Sequence, residues 1–304
     1  MASRSANAKS QSAMEYLMTY GWAILVISIV LAALWQLGVF NSAAQAPRAQ
    51  PGSYRVLRSK GIGGGVQTAL VGTSSTNLLP LFVAQFDGTT SYISTRLNNF
   101  PSGSSPITFI AWIYMPTVGT AFGYPIFSYG NGAAHQTIVF VAANGYGGNL
   151  YIYDASGFYA STYCLPGKWH QVGFTYDGGT TVTVYCDGVV ASPTPYGSVN
   201  PDHLSQQLNM LPGSSTSVIG AYLLGPLYYQ DNMSNVQLYN TTLSASEVMA
   251  LYNEGIGGAP LALPSLVGWW PLNGDAKDYS GNGNSGVPNN VVMSSNWASA
   301  YIAP

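Results

Sequence analysis

An uninterrupted apolar stretch near the start of the chain, from Gly21 to Phe40, limits what this sequence can fold into more than any other feature. It contains twenty residues without a charge, and Ser28 and Gln36 are its clearly polar side chains. A helix of that length is about 30 Å long, which matches the hydrocarbon core of a bilayer. The stretch is therefore predicted to be a helix that lies in lipid or in a protein core.

The residues before the apolar stretch are polar and carry Arg4 and Lys9. A secretory signal peptide keeps its apolar region within the part that is removed, whereas here the apolar region follows the junction Ser10-Gln11. This arrangement resembles the class III signal of archaeal type IV pilins and archaellins, in which a prepilin-type peptidase cuts between a small residue and a glutamine. The resemblance implies that residues 1–10 are a leader that is removed and that residues 11–40 form a hydrophobic pilin helix.

Glu15 then becomes the fifth residue of the mature chain, which is the glutamate position of the type IV pilin family. A carboxylate at mid-membrane costs about 2.5 to 3.5 kcal/mol, so Glu15 needs a partner. The resemblance implies that this partner is the free α-amine of Gln11 in a neighbouring subunit, in an ion pair that sets the register of a filament. The alternative is that Glu15 is solvated at the membrane interface, as the polar edge of a single-pass anchor.

The composition of the rest of the chain excludes some classes of function. Charged residues are only 7% of the chain, well below the usual quarter, while Tyr (22) and Gly (35) are abundant. Without Arg4 and Lys9, seven of the nine basic side chains remain against eleven acidic ones, so no basic field exists for nucleic acid to bind. The sequence predicts a polar, uncharged surface and no nucleic-acid partner.

Residues 41–80 are predicted to be a linker or neck that contains one strand, Tyr54–Lys60. The glycine-rich run 61–65 ends that strand and lacks the Lys-Ser/Thr of a phosphate-binding loop. From residue 81 onward, runs of four to eight residues alternate between apolar and polar and are separated by turn residues, which predicts β-strands. Residues 81–304 are therefore predicted to form a mainly β head.

Two local patterns in the head are especially clear. Trp169–Tyr176 and Thr181–Cys186 are predicted to form a hairpin across the turn 177–180, with one face in the core and the other in water. Ser244 and Glu247 form a capping box that begins a short helix, and Gly255 is placed to end it. The hairpin includes Cys186. Cys164 and Cys186 either form a disulfide, which an extracellular compartment permits, or remain two buried thiols.

An ordered set of short segments resembles the laminin G-like, concanavalin A-like jelly-roll family. The resemblance implies one long N-terminal α-helix followed by a two-sheet antiparallel jelly-roll sandwich. The family has Asp residues just before the Val236–Asn240 segment where this chain has Ser234 and Asn235, which puts a calcium site of the family type in doubt. The matching segments are Phe86-Asp87-Gly88, Lys168-Trp169-His170, Tyr176-Asp177-Gly178, Tyr185-Cys186-Asp187-Gly188, Val218-Ile219-Gly220 and Val236–Asn240.

The segment Leu266–Gly286 looks like the opening of such a domain, although it lies at the C-terminal end of this one. It is predicted to be a permuted strand segment that inserts into its own head, because a short connector favours intramolecular pairing. In a filament the same strand could enter the next subunit instead, by donor-strand complementation.

Asp278, Asn282 and Asn284 are the candidate ligands for a calcium ion, because all three offer oxygen atoms within one glycine-rich loop. The alternative is a loop built from Asx turns. Three histidines, His135, His170 and His203, show no metal-ligand spacing. No other cofactor is predicted.

The chain is predicted not to be an enzyme. Glycosidases on jelly-roll folds need two carboxylates that face each other across a groove. Here most acidic residues lie in turn contexts, where a turn role is expected. Those residues are Asp87, Asp177, Asp187 and Asp275.

Exposed Tyr and Trp in a head of low charge suit carbohydrate binding, although the same residues also build sandwich cores. Asn232 and Asn240 begin N-glycosylation sequons.

Taken together, the sequence predicts a type IV pilin-like subunit of an archaeal extracellular filament. Its partners are copies of itself, the prepilin-type peptidase, the membrane before assembly, and a carbohydrate or cell-surface ligand. The alternative is a membrane-anchored surface lectin or adhesin that does not polymerise.

Overall fold

A computed structural model of the chain describes residues 20–30, 79–117, 123–142, 149–190, 204–211, 216–222, 225–298 and 301–304. The chain divides into two compact units, Met1–Gln45 and Ala46–Pro304. In the first unit, residues 20–30 form a helix, α1. The rest of the predicted pilin helix, the leader junction, Glu15 and the neck lie outside the described residues. Neither helix in the described part of the chain has the length and apolar character needed to cross a bilayer.

The second unit is mainly β, as the sequence predicts, and also contains helix α2 (Ala245–Asn253) and a 3₁₀ turn (Leu263–Ser265). Its described strands are β1 (Val83–Asp87), β2 (Tyr92–Thr95), β3 (Ile107–Tyr114), β4 (Tyr124–Gly130), β5 (Thr137–Ala142), β6 (Asn149–Tyr153), β7 (Phe158–Tyr163), β8 (Trp169–Tyr176), β9 (Val182–Cys186), β10 (Val189–Val190), β11 (Thr216–Ile219), β12 (Gln230–Tyr239), β13 (Leu266–Trp270), β14 (Val287–Asn289) and β15 (Val292–Ser294).

These strands form two antiparallel sheets that pack face to face. The first sheet has the order β10-β9-β8-β3-β12-β1-β15, with β13 also paired to β12, and the second has the order β14-β2-β11-β4-β5-β6-β7. Phe109 of the first sheet stacks on Phe127 of the second, with ring centroids 4.7 Å apart, and Phe140 and Phe174 pack beside them. The predicted two-sheet jelly-roll sandwich is confirmed.

The hairpin of β8 and β9 forms as predicted, but with Val172 opposite Cys186 and Tyr176 opposite Val182, so that five residues separate the two strands instead of the predicted four. The prediction that its second face is wet is wrong, because every residue of β8 is buried and Tyr185 of β9 is only 5% exposed. Tyr185 packs in a cluster with Val248 and Leu251 of α2. The helix therefore covers part of the outer face of the first sheet, and this part of the sheet is buried on both sides.

Helix α2 begins and ends where its sequence signals place its ends. The Ser244 side chain accepts from the backbone N–H of Glu247, and the Glu247 carboxylate accepts from the backbone N–H of Ser244. Gly255 follows with a φ of 75°, a left-handed conformation that glycine adopts without strain. The capping box and the glycine stop are both confirmed.

The C-terminal segment lies within the head of its own chain. Strand β13 pairs with the second half of β12, with Val236 opposite Trp270, while β1 pairs with the first half, with Ala84 opposite Met233. Strands β1 and β13 therefore lie end to end along one edge of β12. Trp270 is fully buried in the core between the sheets. Two further strands follow β13 in this segment. Strand β14 pairs with β2 of the second sheet, and β15 pairs with β1 of the first sheet.

Candidate functional site

The candidate site is a groove on the outer face of the second sheet. Along β5, Ile138 and Phe140 point into the core, so the alternating residues Val139 and Val141 face outward. Val141 lies opposite Pro125 of β4, and Val139 lies opposite Tyr153 of β6. Three adjacent strands thus present one continuous apolar surface.

A short hairpin after β11 borders this surface. Ala221 pairs with Tyr228, and the backbone N–H of Tyr222 donates to the carbonyl oxygen of Leu227 at 2.9 Å. The hairpin and the sheet enclose a groove of about 490 Å³, a size suited to a small ligand. The described residues that line it are Pro125, Val139, Val141, Tyr153, Tyr222, Gly225, Pro226 and Leu227.

Two tyrosines give the groove its chemical character. The rings of Tyr153 and Tyr222 meet edge to face, with centroids 6.2 Å apart. Burial, followed by the charge and the hydrogen bond of Tyr153, raises the pKa of Tyr222. The hydroxyl group of Tyr222 therefore stays protonated at neutral pH and can donate as well as accept hydrogen bonds. Sequence reasoning did not select Tyr153, and no local signal links it to Tyr222.

The predicted calcium ligand Asp278 lies elsewhere, beneath β13, and is only 1% exposed. Its Oδ1 accepts from the backbone N–H groups of Trp269 (3.0 Å) and Ser280 (2.8 Å). Its Oδ2 accepts from the backbone N–H of Asn284 (2.8 Å) and from the hydroxyl of Ser280 (2.9 Å). Four donors therefore surround the carboxylate.

The two predicted amide ligands, Asn282 and Asn284, donate hydrogen bonds from their NH₂ groups to backbone carbonyl oxygens. Asn282 Nδ2 donates to the carbonyl oxygens of Leu266 (2.7 Å) and Val267 (3.0 Å). Asn284 Nδ2 donates to the same oxygen of Val267 at 2.8 Å, while its Oδ1 accepts from the backbone N–H of Asn98 at 2.6 Å. We call this arrangement of Asp278, Asn282 and Asn284 the loop clasp, because it holds the loop against β13.

The structure brings the three predicted calcium ligands together, but their geometry does not support the calcium prediction. A calcium ion needs several oxygen atoms directed at one point. In the loop clasp the oxygens of Asp278 and Asn284 already accept hydrogen bonds, and Asn282 directs its amide nitrogen toward the backbone. The interpretation as a loop of Asx turns fits this arrangement better.

Asn235 belongs to a buried polar network. In the family that this sequence resembles, its position is one that has an acidic residue. Its Oδ1 accepts from Trp269 Nε1 at 2.8 Å and from Gln237 Nε2 at 3.0 Å. Its Nδ2 donates to the carbonyl oxygen of Gly258 at 2.9 Å. These bonds tie β12 to β13 and to the segment after α2, which is a structural role rather than a ligand-binding one.

Cys164 and Cys186 form a disulfide, with Cα atoms 6.0 Å apart. The bond joins the end of β9 to the segment between β7 and β8. His170 lies beside it, with Nδ1 at 2.7 Å from Asp187 Oδ2 and at 3.8 Å from Cys186 Sγ. Sequence reasoning noted His170 next to Trp169 but missed this grouping, because its members are separated along the chain.

The two predicted glycosylation sites differ in accessibility. Asn240 is exposed and follows the end of β12. Asn232 lies within β12, opposite Gln85 of β1, and its amide oxygen is buried. A bulky glycan needs an exposed acceptor. Asn232 is half-buried and Asn240 is exposed, and both remain predicted glycosylation sites.

Asp87 and Asp177, two of the acidic residues predicted to lie in turns, have the roles predicted for them. Asp87 Oδ1 accepts from the backbone N–H groups of Thr89 and Thr90, both at 2.8 Å. The hydroxyl of Thr90, together with these N–H groups, lowers the pKa of Asp87. Asp177 Oδ1 likewise accepts from the backbone N–H of Gly179 at 2.7 Å. These carboxylates hold their own turns.

Two antiparallel sheets that pack face to face, with a helix over the outer face of one, define a jelly-roll β-sandwich. Residues 87–249 match the family described as the concanavalin A-like lectin/glucanases superfamily. The match covers more than half of the chain, which therefore belongs to that family. A domain of this class fits a role in surface recognition. No curated protein matches the chain closely enough to serve as a relative.

Solved structures share the fold at low sequence identity. A candidate carbohydrate-binding protein from Bacteroides ovatus is 16% identical with a TM-score of 0.47, over 75% of this chain and 65% of that one. A heptameric SAP-like pentraxin from Limulus polyphemus is 17% identical with a TM-score of 0.45, over 70% and 94%. Domain 4 of an extracellular arabinanase from Geobacillus stearothermophilus, in complex with arabinotriose, is 17% identical with a TM-score of 0.36, over 55% and 86%. The chain thus spans about two thirds of the first of these proteins.

Proposed function

We propose that this chain is a surface recognition protein whose head binds carbohydrate in the tyrosine-lined groove and whose N-terminal segment assembles copies into an extracellular filament of the type IV pilin kind. The observation that carries the binding function is the groove itself. Its volume of about 490 Å³ suits one or two sugar rings, and it lies on a sandwich of the lectin superfamily.

The groove offers the two kinds of contact that a sugar needs. Sugar rings have an apolar face of C–H groups, which packs on aromatic rings and on accessible apolar side chains such as Pro226 and Leu227. The hydroxyl groups of Tyr153 and Tyr222 provide hydrogen bonds at the edge of this surface. A neutral sugar also suits a lining whose described side chains carry no charge.

We expect Tyr222→Ala to weaken carbohydrate binding by at least about tenfold, or ~1.4 kcal/mol, because it removes the ring that borders the groove. Tyr222→Phe keeps the ring and should stay within about threefold of the unaltered chain. The measurement is binding to immobilised neutral oligosaccharides, first on a glycan array and then by titration calorimetry with the best ligand.

The control for this test is Tyr163→Ala. Tyr163 is an exposed tyrosine on β7, opposite the other end of β6 from Tyr153. Binding that is unchanged in Tyr222→Ala, or weakened equally in Tyr163→Ala, would contradict the assignment of the groove as the binding site.

The filament part of the proposal is supported by the apolar N-terminal helix. In α1 the side chains of Trp22, Ile24 and Ile29 are each at least 60% exposed. A helix with exposed apolar side chains around it needs lipid or other helices to cover them. In a subunit that resides in the membrane and then packs with copies of itself, lipid covers these side chains first and neighbouring helices cover them afterwards. The Ser10-Gln11 junction and Glu15 support assembly over permanent anchoring.

We expect Glu15→Ala to leave a processed chain, beginning at Gln11, that stays in the membrane and does not enter filaments. The variant lacks the carboxylate that would pair with the α-amine of a neighbouring subunit. The measurement combines mass spectrometry of the mature N-terminus with electron microscopy and immunoblotting of sheared filaments. Glu254→Ala, which removes an exposed glutamate after α2, should assemble normally.

Two outcomes would contradict this prediction. Normal filaments from Glu15→Ala would remove the ion pair from the mechanism. An unaltered chain that retains Met1 or Ala2 and is found in the detergent-extracted fraction alone would identify a membrane-anchored lectin, in which residues 11–40 are a permanent anchor.

A further inference from the structure

The groove between the second sheet and the hairpin after β11 has a buried floor and an accessible wall. Val139 and Val141 belong to the floor and are at most 3% exposed, so a ligand reaches little of them. A ligand therefore meets mainly the wall, which is formed by the partly or fully exposed lining residues. Among the described residues these are Tyr153, Tyr222, Gly225, Pro226 and Leu227.

The wall has little capacity for hydrogen bonding. Its polar side-chain groups, among the described residues, are the hydroxyls of Tyr153 and Tyr222, and a hydrogen bond joins these two side chains. A tyrosine hydroxyl both donates and accepts, and part of that capacity is used within the pair. The backbone N–H groups of Tyr222 and Leu227 are also engaged, because they donate to the carbonyl oxygens of Leu227 and Gly225.

This chemistry discriminates between sugars by the number of hydroxyl groups that they bring into the groove. A hydroxyl that is buried without a partner costs free energy, whereas a methyl group buried on an apolar surface gains it. The side chains of Pro226 and Leu227 offer no partner for a hydroxyl group. A sugar that places a methyl group against them is therefore favoured over one that places a hydroxyl there.

We propose that the groove selects a 6-deoxyhexose, in which C6 is a methyl group instead of a hydroxymethyl group. The proposal rests on the proposed carbohydrate-binding function of the same groove. The C6 methyl group packs against Pro226 and Leu227, and ring hydroxyls bond to the tyrosine pair. The described lining carries no charge, which fits a neutral sugar. An N-acetyl group also has a methyl, but its amide brings a donor and an acceptor that need partners.

The test uses the full chain in a non-ionic detergent and three matched pairs of methyl glycosides: fucoside and galactoside, rhamnoside and mannoside, quinovoside and glucoside. The two members of each pair share ring configuration and anomeric form and differ in the C6 hydroxyl alone. Ligand-detected nuclear magnetic resonance gives the dissociation constants, and saturation transfer identifies the ligand protons nearest the protein. We expect at least about a tenfold preference for the 6-deoxy member of one pair or more, with strong transfer at its C6 methyl group.

Leu227→Asn places an amide in the wall that can pair with a C6 hydroxyl. We expect it to lower the preference for the 6-deoxy member by at least about threefold. Leu165→Asn is the matched control, because Leu165 is 50% exposed and does not line the groove. This control should leave the preference unchanged. Circular dichroism shows whether each variant is folded, and the three pairs test the unaltered chain independently of the variants.

The outcomes separate this proposal from the proposed function. A preference of the expected size that falls in a folded Leu227→Asn chain supports the proposal. A smaller preference in all three pairs overturns it, as does tighter binding of an N-acetylhexosamine glycoside or a preference that Leu227→Asn leaves unchanged. In those cases loss of sugar binding in Tyr222→Ala still supports carbohydrate binding in the groove. Absence of all sugar binding, or full affinity in Tyr222→Ala, overturns the proposed function as well.

Discussion

A chain truncated after Ala262 is expected to fail to fold its head. The truncation removes β13, β14 and β15, and with them Trp270, which is fully buried between the sheets. Loss of one buried tryptophan side chain costs about 3 to 5 kcal/mol, a large part of the 5 to 15 kcal/mol that a typical domain has in total. The same truncation leaves half of one edge of β12 without a partner, which invites aggregation.

The measurement is thermal unfolding followed by circular dichroism, together with size-exclusion chromatography. A synthetic peptide of residues 263–304 should restore a cooperative transition, because it supplies the missing strands in trans. A scrambled peptide of the same composition is the control and should not. A truncated chain that stays monomeric with an unchanged melting curve would show that the segment is an appended tail.

The second large effect is expected for Asp278→Ala, which should destabilise the head by about 3 to 5 kcal/mol. The substitution removes the carboxylate of the loop clasp and leaves the backbone N–H groups of Trp269 and Asn284 without their acceptor. Each buried donor left unpaired costs about 1 to 3 kcal/mol. Denaturation by urea, followed by tryptophan fluorescence, measures the free energy of unfolding.

Asp275→Ala is the matched control for the loop clasp. Asp275 lies in the same loop but is partly exposed, and its contacts with Lys277 and Tyr279 are long, at 3.2 and 3.3 Å. This variant should change the free energy of unfolding by less than about 1 kcal/mol. Equal losses in the two variants would show that the buried hydrogen bonds of Asp278 are not the cause.

Thermal unfolding in calcium and in a chelator decides between the loop clasp and a calcium site. We expect the melting temperature of the unaltered chain to be the same in calcium and in a chelator. A ligand that binds the native state stabilises it by about 2.7 kcal/mol at a hundredfold excess over Kd. A rise of that size in calcium would contradict the clasp interpretation.

Much of the head could be predicted from its sequence, because the signals involved are local. Alternation gave the hairpin of β8 and β9, and the Ser244/Glu247 pair gave the start of α2. The environment of the outer face of that hairpin could not be predicted. Alternation tells which residues share a face but not what covers it, and Tyr185 is covered by a helix that begins sixty residues later in the chain.

The candidate sites were harder to predict, for two physical reasons. The loop clasp has the composition of a calcium loop, and the outcome depends on whether Asn282 directs its amide oxygen or its nitrogen inward, which composition does not determine. The groove depends on Tyr153 and Tyr222, which lie on separate elements and meet only when the hairpin after β11 reaches β6. Neither residue stands out within its own segment.

The end-to-end placement of β1 and β13 along β12 also sets the order of events during synthesis. Strand β1 pairs with β15, and the backbone N–H of Phe82 bonds to the side chain of Asn273, 191 residues away. The head therefore stays open until residue 294 has been made. At about 5 to 20 residues per second, the ribosome needs roughly 3 to 11 seconds to pass from Tyr239 to Ser294. Throughout that interval the nascent chain holds an unclosed sandwich whose β1 and β12 still lack partner strands.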